Sequence, residues 1–149
     1  MHVTLAFIGE ADETLAAKLI VAMQRRPAQP AFDASFDRVG LFPPHGAPRI
    51  LWLGVGEGAD AMAALQAEIA ARVDALGVEL ERRPFHPHLT LARWRDARPS
   101  DRHAVDDLPE VGLVARVRID HATLYRSQTL PDGPVYTPVA RVTLARSSA

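Results

Sequence analysis

The chain has 149 residues, 48% of them hydrophobic and 23% charged, and we expect residues 1–149 to form a single globular domain. Its net charge of −1 argues against a broad electrostatic footprint along nucleic acid but allows a site that binds one phosphate. The lack of cysteine excludes disulfides and thiolate chemistry. No apolar run approaches membrane-spanning length and the start lacks signal-peptide features, so we expect a cytoplasmic protein.

In chain order, the spacing of apolar residues predicts two helices and about seven strands. The helices run from Asp12, which can cap the first one, to about Arg26, and from Asp60 to Leu76. Strands are predicted at 3–8, 32–37, 50–55, 78–81, 88–94, 113–125 and 135–144. Because the strands are not each followed by a helix, the pattern indicates an α+β fold with largely antiparallel sheets.

Proline and glycine mark the connections between these elements. A loop is predicted at 42–48 and a turn at Pro131-Asp132-Gly133-Pro134. Residues 96–110 are polar and predict a loop with a short helix. Pro138, inside the last strand, indicates an edge position or a bulge.

One five-residue phrase occurs twice, as His2-Val3-Thr4-Leu5-Ala6 and as His88-Leu89-Thr90-Leu91-Ala92. Residues i and i+2 of a strand point to the same face. Each copy therefore presents one imidazole and one hydroxyl to one surface, and the internal echo suggests two related lobes packed around a shared cleft.

Two facing His–Thr pairs have the groups needed to open a cyclic phosphodiester without a metal or another cofactor. One imidazole can activate water as a base while the other protonates the departing sugar oxygen, since histidine changes charge near neutral pH. The hydroxyls of Thr4 and Thr90 can donate hydrogen bonds to phosphate oxygens. Arg93 follows His88 by five residues, so strict alternation turns it to the opposite face unless a bulge or its long stem brings it round.

With these motifs, the chain resembles the 2H phosphoesterase superfamily and, within it, the bacterial and archaeal RNA 2′,3′-cyclic phosphodiesterases, also called 2′-5′ RNA ligases. The resemblance covers nearly the whole chain, and the two histidine motifs are its specific part. The matching stretches are His2-Val3-Thr4-Leu5-Ala6-Phe7-Ile8-Gly9, Ile50-Leu51-Trp52-Leu53-Gly54-Val55, Phe85-His86-Pro87-His88-Leu89-Thr90-Leu91-Ala92-Arg93, and Leu124-Tyr125-Arg126-Ser127-Gln128 followed by Gly133 and Tyr136.

This resemblance implies a two-lobed, pseudo-twofold fold with the motifs on facing central strands. It also implies metal-independent opening of 2′,3′-cyclic phosphates at RNA or nucleotide ends to 2′-phosphates, and reversible 2′-5′ ligation. The implied catalytic residues are His2 and His88, and the implied phosphate ligands are Thr4, Thr90 and Arg93. For hydrolysis we expect His88 to be the base and His2 the acid.

The chain departs from that family pattern at its start, because Met1 directly precedes His2 where members usually have about one strand and one helix first. We expect either that the true start lies upstream or that the first lobe is built without those elements. A lobe that lacks them would expose a sheet edge and apolar surface, so we expect poorer stability or self-association.

Two rival patterns stay open at this stage. Gly54-Val55-Gly56-Glu57-Gly58-Ala59, with Glu79 and Glu81 further on, matches a dinucleotide-binding loop, although a plain strand-to-helix turn is favoured. His86 and His88 could bind zinc with a third ligand from His45, His103 or His121.

The aromatic residues and the catalytic status also leave alternatives. Phe7 and Trp52 could stack on a nucleobase, although core packing is favoured for them and for Tyr125 and Tyr136. The chain could also be a non-catalytic nucleotide-binding module of the same fold, or act on another cyclic phosphate or on 2′-5′ oligonucleotides.

Overall fold

The computed structural model describes residues 2–107, 111–131 and 133–146, and its contacts divide the chain into two compact units. The first unit contains the described residues of 1–5, 33–63 and 84–118. The second contains those of 6–32, 64–83 and 119–149. The expectation of a single domain over residues 1–149 stays a prediction, which one cooperative unfolding transition would support.

Both predicted helices and an α+β architecture are present. The helices are α1 (Glu13–Gln24), α2 (Ala59–Asp74) and the short α3 (His103–Asp106), which follows a 3₁₀ turn at Pro99–Arg102. The strands are β1 (Phe32–Phe42), β2 (Ile50–Val55), β3 (His88–Arg93), β4 (Ala115–Ile119), β5 (His121–Leu130) and β6 (Gly133–Thr143). In the described part of the chain, every helix is too short or too polar to traverse a bilayer.

The strands form one sheet in the order β3-β2-β1-β4 and a separate β5–β6 hairpin. The β1–β2, β2–β3 and β5–β6 pairings are antiparallel, as the sequence predicted. The hairpin register shifts between Leu124 and Tyr125, opposite Pro138, which confirms the expected irregularity there. Within the predicted hairpin turn, Asp132 lies outside the described residues, as do residues 108–110 of the predicted loop.

Four strand predictions were wrong, one of them because β1 continues to Phe42 instead of ending at residue 37. The segment 3–8 forms only an isolated bridge at Val3, and the alternating residues 78–81 form no strand. The predicted strand 113–125 divides at Asp120 into β4 and β5. Alternation shows which side chains face the protein, but a strand also needs a partner backbone, and the sequence pattern does not reveal that partner.

The sheet of the first unit has two chemically different faces. On one face Val39, Leu53 and Leu89 lie side by side across β1, β2 and β3, and Leu53 is 7% exposed. On the other face the central positions of β1 and β2 include Gly40 and Gly54. The apolar face therefore supplies core packing, and the second face is left for small, polar and aromatic residues.

The second unit packs α1 against β5 and β6. Asp12 caps α1 by accepting a hydrogen bond of 2.7 Å from the backbone N–H of Leu15, as predicted. Leu19 and Met23 of the helix are buried, as are Ala122 and Val142 of the hairpin. This burial places the apolar stripe of α1 in the core of the unit.

The ion pair of Glu68 and Arg72 on α2 forms hydrogen bonds with the backbone of the segment that follows α1. The carboxylate of Glu68 accepts hydrogen bonds from the backbone N–H of Ala28 at 2.8 Å and from Arg72 at 2.6 Å. Arg72 in turn donates to the carbonyl oxygen of Arg25 at 2.5 Å. Burial opposes ionisation of Glu68, but these hydrogen bonds outweigh it and hold the pKa of Glu68 below its ordinary value.

Candidate active site

The second motif lies on β3, which pairs with β2 along its whole length. His88 lies opposite Gly54, and Thr90 lies opposite Trp52. Residues two apart on a strand share a face, so the imidazole of His88 and the hydroxyl of Thr90 belong to the face that Gly54 and Trp52 also occupy. Both side chains are half-buried.

A bulge in β3 brings Arg93 to the same face. The register runs from Thr90 opposite Trp52 to Arg93 opposite Ile50, with Leu91 as the extra residue. Trp52 and Ile50 are two apart on β2 and share a face, so their partners share it too. The bulge therefore reverses the orientation that strict alternation gives Arg93, and the arginine is exposed there.

The first motif joins this face through one antiparallel bridge between Val3 and Leu89. In an antiparallel bridge the flanking residues are opposite each other, so His2 lies across from Thr90, and Thr4 across from His88. Such opposite pairs have Cβ atoms roughly 4.5–5.5 Å apart, and diagonal pairs such as His2 and His88 are about 7–8 Å apart. All four polar side chains thus surround one patch of the first unit.

The ring of His88 is held on three sides. Its Nδ1 lies 2.7 Å from the carbonyl oxygen of His86, so Nδ1 carries a proton and donates it to that oxygen. Phe42 meets the ring edge-on with centroids 5.2 Å apart, and Trp52 lies at 6.3 Å. With Nδ1 occupied, Nε2 is the nitrogen that can accept a proton in the neutral imidazole.

The same aromatic group depends on a glycine. Trp52 lies opposite Gly40, and a Cβ built on Gly40 would overlap the indole ring. Phe42 contacts Trp52 with a centroid distance of 5.1 Å. Because Gly40 has no side chain, the indole of Trp52 can pack against the face of the sheet beside Phe42.

Comparison with known proteins identifies the family. A model described as the 2′-5′ RNA ligase superfamily matches residues 1–130. The chain belongs to this superfamily. The resemblance drawn from the two histidine motifs is thereby confirmed.

Relatives of this 2′-5′ RNA ligase superfamily member carry the name RNA 2′,3′-cyclic phosphodiesterase. One from Aeropyrum pernix is 32% identical over 148 residues, which cover 98% of this chain and 83% of that protein. One from Geobacillus stearothermophilus is 36% identical over 141 residues, which cover 93% of this chain and 44% of that protein. The chain thus spans less than half of the second protein.

A solved structure supports the same α+β fold for this superfamily member. The crystal structure of Escherichia coli LigT complexed with 3′-AMP matches it with a TM-score of 0.77 at 29% identity. The match covers 97% of this chain and 77% of that chain.

In this 2′-5′ RNA ligase superfamily member, the aromatic residues considered for base stacking or core packing differ in their exposure. Trp52 is half-buried within the first unit, beside His88. Phe7 belongs to the second unit and is 79% exposed, so core packing is wrong for it. Core packing is also wrong for Tyr125 and Tyr136, which are exposed and form an edge-to-face pair 6.3 Å apart.

The glycine-rich turn after β2 does not form a phosphate cradle. The backbone N–H groups of Gly56 and Glu57 donate to the carbonyl oxygen and hydroxyl of Ser35, at 3.0 and 2.8 Å. The carboxylate of Asp37 lies directly against Gly56, where a Cβ would overlap it. Occupied donors and a nearby negative charge oppose phosphate binding, and the antiparallel sheet lacks dinucleotide-fold topology.

The metal alternative has no matching arrangement in the described ranges, where no three His, Asp or Glu side chains come together as a ligand set. Sequence reasoning missed other parts of the site, namely Phe42, Gly40 and the carbonyl oxygen of His86. The available signal was a glycine inside an apolar strand, which often marks a close approach by another group.

Proposed function

We propose that this member of the 2′-5′ RNA ligase superfamily hydrolyses RNA or nucleotide 2′,3′-cyclic phosphate ends to 2′-phosphates. The observation that carries the proposal is the Val3–Leu89 bridge, because it brings both His–Thr pairs to one face of the first unit. The name RNA 2′,3′-cyclic phosphodiesterase on the relatives supports the choice of reaction and substrate.

The proposed reaction begins at His88. Nε2 accepts a proton from a water molecule as the water oxygen attacks phosphorus, and the phosphorus–3′-oxygen bond breaks on the opposite side. The hydrogen bond from Nδ1 to the His86 carbonyl oxygen fixes the ring and stabilises the imidazolium that forms. This geometry supports the assignment of His88 as the base.

His2 completes the proton balance. As an imidazolium it gives its proton to the departing 3′-oxygen, so the products are a 3′-hydroxyl and a 2′-phosphate. Thr4 and Thr90 donate hydrogen bonds to the non-bridging oxygens, and the guanidinium of Arg93 offsets their charge. In ligation, a 5′-hydroxyl takes the place of water and the same steps form a 2′-5′ linkage. Attack of the 3′-hydroxyl on that linkage expels the 5′-hydroxyl and restores the cyclic phosphate, so reversible ligation is part of the proposal.

The proposal needs no metal or cofactor, because both proton transfers are assigned to imidazoles. The test is turnover of nucleoside 2′,3′-cyclic phosphates and of RNA ending in one, with chelator present and the product identified as the 2′- or 3′-monophosphate. Formation of the 2′-monophosphate at an undiminished rate supports the proposal. Binding of the cyclic nucleotide without any product would instead establish the non-catalytic module.

The two histidines are tested individually. His2→Ala and His88→Ala should each lower kcat by about 10²–10⁴, the usual contribution of one positioned acid or base. His103→Ala is the matched control, since His103 is an exposed histidine of the same unit on α3. A near-normal rate in either motif variant would remove that residue from its proposed role.

Nucleotide binding supplies an independent check. The LigT structure is described as complexed with 3′-AMP, which suggests that nucleoside monophosphates also bind this chain. We expect 2′-AMP and 3′-AMP to inhibit cyclic phosphate turnover competitively. Non-competitive behaviour of both would argue that the nucleotide site is separate from the motif face.

Self-association is a separate part of the proposal. The exposed side chains of Phe7 and Val21, at 79% and 66%, offer apolar surface that a second copy could cover. A concentration-dependent mass in light scattering would support this, and a monomer at all concentrations would contradict it. The cytoplasmic location expected from the sequence also stays a prediction, which fractionation of cells would test.

A further inference from the structure

The start of β5 repeats the first four residues of the histidine phrase, as His121-Ala122-Thr123-Leu124. The reaction proposed above gives this third copy no role. It lies wholly within the second unit, together with its partner strand β6. Four matching residues carry little weight alone, so the surroundings of the copy in the structure decide what it can do.

The side chains of His121 and Thr123 point away from the core of the unit. Ala122 between them is 6% exposed, and so is Val142, its partner on β6. Because neighbouring residues of a strand point to opposite faces, His121 and Thr123 share the outer face of the hairpin. His121 is exposed there, and Thr123 is half-buried.

The register of the hairpin adds two more polar side chains to the same face. Thr143 lies opposite His121, and Arg141 lies opposite Thr123. Opposite Cβ atoms are roughly 5 Å apart and alternate residues of one strand roughly 6.5 Å apart, so the four side chains surround a small rectangle. We name this group the hairpin patch, defined by the residues His121, Thr123, Arg141 and Thr143.

The ring of His121 is oriented by the neighbouring Asp120. Its Nδ1 lies 2.5 Å from Oδ1 of that carboxylate and donates a hydrogen bond to it. On β3, the carbonyl oxygen of His86 occupies Nδ1 of His88 in the same way. In both copies Nε2 is therefore the ring nitrogen left for a ligand, and in the imidazolium form it is a donor.

The guanidinium of Arg141 acts on the same carboxylate. The hydrogen bond from His121 and the positive charges of His121 and Arg141 hold the pKa of Asp120 below its ordinary value. The influence of Arg141 on Asp120 agrees with the register, which places both cationic groups on one face. With an imidazolium at His121, two positive charges face the single negative charge of Asp120.

The donors of the hairpin patch are available to a ligand. Within the described part of the chain, the guanidinium of Arg141 and the hydroxyls of Thr123 and Thr143 make no hydrogen bond. Arg141 and Thr143 are also exposed. A guanidinium fork, two hydroxyls and an imidazolium can all donate to one group that has several acceptor oxygens and negative charge, and a phosphate has that chemistry.

We propose that the hairpin patch is a second phosphate-binding site, which recognises a phosphate group without reacting with it. The patch contains one imidazole, so it lacks the acid–base pair assigned to His2 and His88. The phosphate belongs either to a free phosphomonoester or to the backbone of an RNA chain. Because this binding needs no turnover, the inference stands or falls independently of the proposed function.

The test follows the ring C–H signals of His121 in NMR spectra of the full chain, identified by their loss in His121→Gln. Inorganic phosphate, added at constant pH, should shift these signals until they saturate, in the wild type and equally in His88→Ala. Sodium chloride at the same ionic strength should not reproduce the shift. No shift, or the same shift with both salts, would overturn the inference.

Two further ligands distinguish the source of the phosphate. 2′-AMP offers a phosphomonoester, whereas a short oligoribonucleotide with hydroxyl groups at both ends offers only phosphodiesters. The ligand that saturates the His121 shift at the lower concentration identifies the source. Failure of both to saturate it would overturn the inference, even if inorganic phosphate binds.

Matched variants locate the binding on one face of the hairpin. Arg141→Ala should weaken phosphate binding about 10-fold or more, because it removes charge-assisted hydrogen bonds, and Thr123→Val should weaken it less. The controls are Arg126→Ala and Thr137→Val, an exposed pair of the same residue types on the opposite face of the same hairpin. Unchanged binding in Arg141→Ala, or an equal loss in Arg126→Ala, would overturn the inference.

Discussion

The two copies of the histidine motif have nearly the same sequence but different surroundings. The second copy lies in the six-residue strand β3, which pairs with β2 throughout. In the described part of the chain, the first copy pairs with it at the Val3–Leu89 bridge. Strand pairing is set by the neighbouring backbone rather than by the five-residue phrase itself, so the same residue types can be paired to different extents in the two copies.

The contacts of His88 fit the proposed role of a base. A base has to align one ring nitrogen with a small water molecule, and the ring of His88 is fixed by the His86 carbonyl oxygen and by Phe42. An acid has to follow an oxygen that moves as its bond to phosphorus breaks. We propose His2 for that role, and the predictions below test that distinction.

The largest expected effect separates acid from base by chemistry. With a substrate whose 3′-oxygen is replaced by sulfur, the leaving group needs little protonation. The loss of about 10²–10⁴ caused by His2→Ala should then shrink strongly, whereas the loss caused by His88→Ala should persist. Steady-state rates on both substrates measure this, and rescue of His88→Ala instead would exchange the two roles.

Replacing the hydroxyl of Thr90 or Thr4 should also lower activity, but by less than replacing either histidine. Thr90→Val should lower kcat/KM by about 10-fold or more, because a hydrogen bond to a charged group contributes roughly 1.5–3 kcal/mol. Thr4→Val should cost less, since Thr4 is exposed and Thr90 is half-buried, so water competes more at Thr4. Kinetics on one cyclic nucleotide compare them, and a larger loss for Thr4→Val would contradict the ranking.

The ring of Phe42 should help to position the imidazole of His88. Phe42→Leu removes the edge contact to His88 and should lower kcat up to about 10-fold, because an aromatic pair is worth roughly 0.5–1.5 kcal/mol. The proton signals of His88 should shift in NMR spectra. Phe42→Tyr retains the ring and should restore the rate; failure of that rescue would reject the positioning role.

The smallest effect on activity is expected in the second unit. Glu68→Gln should lower the free energy of unfolding by about 2 kcal/mol, because it removes a carboxylate that accepts charged hydrogen bonds. The pKa of Glu68 is lowered on folding, so this stabilisation is present above the ordinary value of 4.5 and disappears as pH falls through the folded value.

Denaturant unfolding between pH 3 and pH 7 measures this contribution. The free energy of unfolding should fall more for the wild type than for Glu68→Gln as the pH falls. The ratio of the activity of His2→Ala to that of His88→Ala should be the same whether or not Glu68→Gln is also present. Parallel stability curves would contradict the role assigned to the Glu68 carboxylate.

The sequence revealed those parts of the site that depend on local spacing. A spacing of two residues within one strand was enough to place His88 and Thr90 on one face. Arg93 could not be placed, because the bulge at Leu91 depends on how β2 pairs with β3. The row of Arg38, Gly54 and His88 was also beyond reach, since these residues become neighbours only through the register of three strands.

The central claim is that His2 and His88 act on one phosphorus atom from opposite sides. The most direct measurement is a crystal structure with a nucleoside 2′,3′-cyclic vanadate, whose five-coordinate vanadium mimics the reaction's transition state. We predict a ring nitrogen of each histidine within about 2.6–3.2 Å of an oxygen on opposite sides of the metal. Vanadate bound away from either imidazole would contradict the account.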